Sequence, residues 1–265
     1  MTRSLERVAA ATRDWLNAAD GPLILGLCGA QGSGKSTLAA GLHQMLSQEG
    51  RRVAILSLDD LYLGRQDRAQ LAERVHPLFR TRGVPGTHDV ARGIAIMDAV
   101  KRGDPTIFPR FDKGQDDPLP QGDPIAAPLD LLIFEGWCVG AAPQPAADLA
   151  MPVNALERDE DPHAIWRGHV NDQLSGPYAD LHARIDRLLL LAAPDFSVVR
   201  TWRGEQEDAL RAQRGDSAVR AMDAPQLDRF VEHYERLTRH ILIEMPGRAN
   251  LVLPLGPDRQ LRAMS

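Results

Sequence analysis

The chain has 265 residues, 43% of them hydrophobic and 25% charged, with a formal net charge of -5 at pH 7. That composition supplies a sizeable core, and without a long basic run it argues against nucleic acid or an anionic membrane as a partner. Two cysteines exclude a disulfide framework or a cysteine metal cluster, and no apolar stretch is long enough to span a bilayer.

Basic residues are unevenly chosen, 28 Arg against 3 Lys, so each lysine position is informative. In residues 1–20, Leu5, Val8, Ala9, Thr12, Trp15 and Leu16 recur at helical spacing with Glu6, Arg13 and Asp14 between them. This predicts an amphipathic helix, not the unbroken apolar core of a signal peptide, and a cytoplasmic protein. Pro22 to Cys28 is an apolar run that predicts a buried strand.

It leads into Gly29-Ala30-Gln31-Gly32-Ser33-Gly34-Lys35-Ser36, a complete G-x-x-x-x-G-K-S. Thr37 to Leu46 follows as a helix with Leu38, Leu42, Met45 and Leu46 on one face, and Gly50 stands where a helix ends. Glycines let the backbone wrap a polyphosphate, the helix N-terminus and Lys35 supply positive charge, and the Ser36 hydroxyl can ligate Mg²⁺. Strand, loop and helix together predict nucleotide binding.

Val53 to Leu58 predicts a second buried strand ending in Asp59-Asp60-Leu61-Tyr62. A polar helix over 65–80 turns Leu71, Val75 and Leu78 inward, and Arg82 to Asp89 is a loop punctuated by Gly and Pro. Asp89 caps a helix from Val90 that stops before Gly103. Thr106 to Phe108 predicts a short strand, and an irregular loop then runs to Pro128. Leu129 to Phe134 predicts a strand followed by Glu135-Gly136-Trp137, and residues 141–150 a surface excursion. A helical stretch near 162–183, a strand at 188–194, an arginine-rich helix at 195–215, a helix at 226–242 and a strand at 251–253 complete the chain. Alternating strands and helices predict an α/β fold, a doubly wound parallel sheet with helices on both faces, in a single domain over 1–265.

In such sheets the ligand lies at the carboxyl ends of the strands. Lys35, Asp59, Asp60 and Glu135 each stand directly after an apolar run. Acidic groups facing a phosphate loop can hold Mg²⁺ or take a proton from a substrate hydroxyl; alternatively the aspartates cap a helix and Glu135 merely ends a strand. Arg200, Arg203, Arg211 and Arg214 form either a solvated basic face or a lid over 195–220 that meets the transferred phosphoryl. Arg82, His88, Arg110 and Lys113, in the two irregular loops, are donors suited to a small anion.

This combination resembles the P-loop small-molecule kinases that include uridine kinase, phosphoribulokinase and bacterial pantothenate kinase, and among them the plant-type D-glycerate 3-kinases. The residues that carry it are Gly29–Thr37, Ser57–Tyr62, Arg82–Asp89, Pro109–Lys113, Phe134–Gly140, Trp202–Arg203 with Glu207 and Arg211, and Phe230, Val231 and Tyr234. The resemblance implies ATP-dependent phosphorylation of a hydroxyl on a small anionic metabolite, with Mg²⁺. It implies Asp59 as the base, Lys35 on the β- and γ-phosphates, and Ser36, Asp59 and Glu135 around the metal. Residues Gly29 to Thr37 would hold the nucleotide, with Arg200, Arg203 and Arg211 closing from the lid. Asp60, Tyr62, Arg82, His88, Arg110, Lys113 and Glu135 would face the acceptor. The chain departs from the pattern in the short acidic segment Gln115-Asp116-Asp117 and in Gly204.

Three other classes share a phosphate loop or a nucleotide site. A GTP switch needs an Asn/Thr-Lys-x-Asp motif, which none of the three lysines provides. A transporter-type ATPase signature is only faintly matched by Asp172 to Gly176, which Pro177 follows. An ATP-binding regulatory module without transfer activity would have no need of Asp59.

Overall fold

The structure, a computed structural model, describes residues 2–214 and 224–262. In chain order the strands are β1 (Leu23–Gly29), β2 (Val53–Ser57), β3 (Thr106–Phe108), β4 (Phe111–Asp112), β5 (Asp117–Pro118), β6 (Asp123–Ile125), β7 (Leu131–Gly136), β8 (Arg187–Ala192) and β9 (Leu251–Pro254). The helices are α1 (Thr2–Asn17), α2 (Lys35–Gln48), α3 (Arg65–Arg74), α4 (Val90–Arg102), α5 (Ala155–Glu160), α6 (Ile165–Ser175), α7 (Pro177–His182), α8 (Ser197–Arg214) and α9 (Ala224–Glu244).

Five strands form the central sheet in the order β2-β7-β1-β8-β9, every pair parallel. The inner strands β1 and β7 are buried at every residue, which is why they read as continuous apolar runs rather than alternating ones. Successive side chains still divide between two cores. Leu23, Leu25 and Leu27 face the layer built by α1, α2 and Trp202 of α8. Ile24, Cys28, Leu132 and Phe134 face the layer that holds Phe79, Tyr178, Trp137 and Tyr234. Helices therefore cover both faces. No helix among the described residues is long and apolar enough to cross a membrane.

Several local expectations are corrected. Thr106 to Phe108 is the expected short strand, but the loop to Pro128 is not wholly irregular: β3 pairs antiparallel with β6 and β4 with β5, so it contains two short ribbons outside the main sheet. Of the three residues in β3 only Phe108 is buried, and it alone joins the core. The helix predicted over 65–80 ends at Arg74, and a 3₁₀ turn occupies Pro77–Arg80, because the residue before a proline is disfavoured in the α region. The stretch near 162–183 breaks at Gly176-Pro177 into α6 and α7. Gly204 lies inside α8, where a Cβ would meet only Leu227 at 3.6 Å, an ordinary contact.

Candidate functional site

The carboxyl ends of β1, β2 and β7 lie side by side, because Leu27 and Ser57 both pair with Glu135 in register. Gly32 and Gly34 adopt φ of 76° and 88°, backbone that L side chains rarely take. Gly34 is the N-cap of α2 and offers no capping side chain, so the first N–H groups of that helix are left for an anion. A Cβ on Gly32 would stand 2.5 Å from Trp202 Cβ, so glycine is needed here for packing as well as for turning.

Trp202 is fully buried against the loop, and its indole N–H donates to the Pro257 carbonyl at 2.7 Å. Arg259 in the same C-terminal turn donates from Nε to the Gly32 carbonyl at 2.6 Å. Its guanidinium also pairs with Glu205 of α8 at 2.5 Å and lies over the Trp202 ring.

Ser36 Oγ donates to Glu135 Oε1 at 3.1 Å. Glu135 is 5% exposed, and its second oxygen is buried without a hydrogen-bond partner. A hydroxyl beside a carboxylate with a spare buried lone pair is a donor set that fits a hard cation.

Asp59 and Asp60 occupy a 3₁₀ turn at Leu58–Leu61 that Ser57, not either aspartate, caps. Both carboxylates are thus released for other partners. Asp59 receives Lys113 Nζ at 2.6 Å and the Tyr62 hydroxyl at 2.7 Å. Burial works to raise its pKa, but the charges of Lys113 and Lys35 and these hydrogen bonds prevail and hold it down at about 2. It is a carboxylate across the physiological range. Asp60 instead accepts from Arg110 at 2.6 Å and from the Phe111 amide, and Arg110 also reaches Asp123 at 2.7 Å. Asp60 and Arg110 hold the β4–β5 ribbon beside the site.

Tyr62 stacks on His88 with centroids 4.7 Å apart. His88 is 5% exposed, and its Nδ1 is hydrogen-bonded to the Tyr178 hydroxyl. Burial drives its pKa down to about 3 against the pull of Asp59, so the ring is neutral. Arg82 lies over Tyr62 and Phe111 and is ion-paired to Asp116, which also receives the buried Arg68. Tyr234 donates to the Arg82 carbonyl at 3.2 Å, and Trp137 Nε1 to that of Gly83 at 2.8 Å, which fixes the loop carrying Arg82 and His88.

Of the arginines expected in a lid, Arg203 lies over the Phe230 ring and Arg200 pairs with Asp228 of α9. The side chains of Arg211 and Arg214 lie outside the described residues. Sequence reasoning missed Arg68, Tyr178 and Arg259. Arg68 had a signal: it stands one helical turn before Leu71, on the buried stripe of α3.

A family model described as methylmalonyl Co-A mutase-associated GTPase MeaB matches residues 8–62, the segment from α1 through the phosphate loop and β2 to Tyr62 after the 3₁₀ turn. Uncharacterized kinase mug58 of Schizosaccharomyces pombe is 32% identical over 227 residues, covering 80% of this chain and 78% of the relative. The chloroplastic D-glycerate 3-kinase of Arabidopsis thaliana is 29% identical over 254 residues, 91% of this chain, which spans only 52% of the plant protein. Among solved structures, D-glycerate 3-kinase from Cryptococcus neoformans superposes with a TM-score of 0.81 at 24% identity, covering 99% of this chain and 98% of that one.

Proposed function

Because the chain belongs to the glycerate 3-kinase-like family of P-loop kinases, we propose that it transfers the γ-phosphoryl group of ATP to a hydroxyl of D-glycerate or a close anionic relative. The observation that carries this reading is Asp59, an ionised carboxylate at the end of β2, set between Lys113 and Tyr62 and within the field of Lys35. An acceptor hydroxyl donating to Asp59 is turned toward the phosphate loop. Lys113, on Asp59, and Arg82, over the Tyr62 ring, offer cations for the acceptor's carboxylate.

A carboxylate with a pKa of about 2 is a weak base. It orients the hydroxyl first and takes its proton late, as the new P–O bond forms and the bond to the β-phosphate oxygen breaks, with ADP leaving. Backbone N–H groups of Gly29–Ser36 and the Lys35 ammonium offset charge on the phosphates. Ser36 and Glu135 would hold Mg²⁺, which when bound neutralises phosphate charge. Arg203 closes from α8, and the reaction runs in the cytoplasm. ATP as donor agrees with the absence of a guanine-reading Asn/Thr-Lys-x-Asp motif in the sequence.

The test is ATP consumption with and without D-glycerate, other small hydroxy acids, nucleosides and pantothenate. Stimulation by D-glycerate supports the reading; stimulation by a neutral nucleoside alone, or by none, refutes it.

A further inference from the structure

The four-residue turn between β4 and β5 carries two charges that enter the site from the same side. Lys113 reaches Asp59, and Asp116 reaches Arg82. Asp116 adopts φ 60°, a left-handed backbone uncommon for a non-glycine residue, and its amide donates to the Asp112 carbonyl at 2.7 Å. What holds it there is Arg68. That guanidinium is 1% exposed, so no solute reaches it, and it binds both carboxylate oxygens of Asp116, at 3.2 and 2.6 Å. A buried guanidinium left unpaired is costly, so Asp116 cannot leave Arg68 to release Arg82.

We infer that Asp116, anchored by the buried Arg68, is a positioning residue that sets acceptor affinity by fixing the Arg82 guanidinium between Tyr62 and Phe111. Two guanidiniums share one carboxylate, so the trio retains one positive charge. Arg68 is sealed, and the surplus is presented at Arg82, the partly exposed guanidinium. A single fixed guanidinium beside the base suits a monoanionic hydroxy acid, whose carboxylate takes the planar donor fork. Fixing it beforehand removes the entropy cost of ordering it when the acceptor binds. A merely structural Asp116, pinning the ribbon to α3, would make the effects of Asp116 and Arg82 on acceptor affinity independent of each other.

This inference rests on the acceptor reading above, and a double-mutant cycle on the full chain separates the two. Wild type, Asp116→Asn, Arg82→Ala and the double variant are compared by calorimetric titration with D-glycerate and by turnover, with melting curves as a control. Asparagine accepts the left-handed backbone and keeps an acceptor oxygen, while removing the charge. Asp116→Asn is expected to weaken D-glycerate binding about tenfold or more, to leave KM for ATP unchanged, and to add nothing in the Arg82→Ala background. Asp116→Glu should restore part of the affinity. Additive losses, or a loss equal for ATP and D-glycerate, overturn the inference and leave the kinase reading standing. Binding without turnover in the wild type overturns the kinase reading, and the cycle of dissociation constants still decides the inference. No binding in the wild type overturns both. Should Asp116→Asn not fold, Arg68→Lys, which keeps the charge but loses the fork, must weaken D-glycerate binding selectively or the inference falls.

Discussion

Ser36 Oγ donates to Glu135 Oε1 across 3.1 Å, joining the first turn of α2 to the end of the neighbouring strand β7. The second Glu135 oxygen is buried and unpartnered. Glu135→Gln keeps the shape and the hydrogen bond but removes the charge that would draw a cation. The Mg²⁺ concentration giving half-maximal activity should rise about 10–100-fold, with ATP affinity in the absence of metal unchanged. An unaltered Mg²⁺ titration would remove Glu135 from the metal site.

Asp59→Ala should lower kcat by about 10²–10⁴ and leave the ATP dissociation constant within about twofold of wild type. Rapid-quench turnover and nucleotide titration check the two parts separately. A variant with full kcat would move the base elsewhere.

Lys113 is one of the charges that hold Asp59 ionised. Its loss removes stabilisation of the anion, so the Asp59 pKa must move up, from about 2 toward or past the ordinary carboxylate value. In Lys113→Met the acid limb of kcat/KM for the acceptor should shift upward by about one pH unit or more relative to wild type. A profile of unchanged shape would mean that Lys113 does not govern Asp59.

Gly32→Ala would force a side chain onto a φ of 76° and bring a Cβ within 2.5 Å of Trp202. Either the phosphate loop or α8 must shift. Destabilisation of about 1–3 kcal/mol is expected, with weakened ATP binding. Calorimetric melting and nucleotide titration measure both, and normal values for both would contradict the packing described.

His233 is 4% exposed, and burial holds its pKa down at about 4 although the Arg229 carbonyl works against that. The unfolded chain, with an ordinary imidazole, therefore binds more protons between about pH 4 and about pH 6.5, so stability falls as pH drops through that window. His233→Gln should reduce the loss of stability between about pH 7 and about pH 5 by about 1–2 kcal/mol. Denaturant unfolding at the two pH values tests this.

What could be read from the sequence is what is local. Gly29 to Ser36 declared itself because its strand, turn and helix are contiguous, and Asp59 and Glu135 because each ends an apolar run. The partners of these groups were not legible. Lys113 lies 54 residues from Asp59 and Arg110 lies 50 from Asp60, and only the folding back of the β4–β5 ribbon brings them together. Asp60 and Arg110, equally plausible as independent acceptor contacts in the sequence, meet each other. Arg259 left no local trace, since its contact is a backbone carbonyl 227 residues away. The short ribbons between 106 and 125 escaped because strands of two or three residues carry no periodicity.

The grip of Arg259 on the Gly32 carbonyl, and of Pro257 on Trp202, has a consequence for the order in which the molecule is made. The phosphate loop leaves the ribosome first, whereas the residue that holds its fourth position, Arg259, follows 227 residues after Gly32. A nascent chain lacking residues 251–262 has no β9 and no clasp on that loop. Nucleotide affinity should therefore arrive only once residues 251–262 have been made, long after the motif that announces it has been translated.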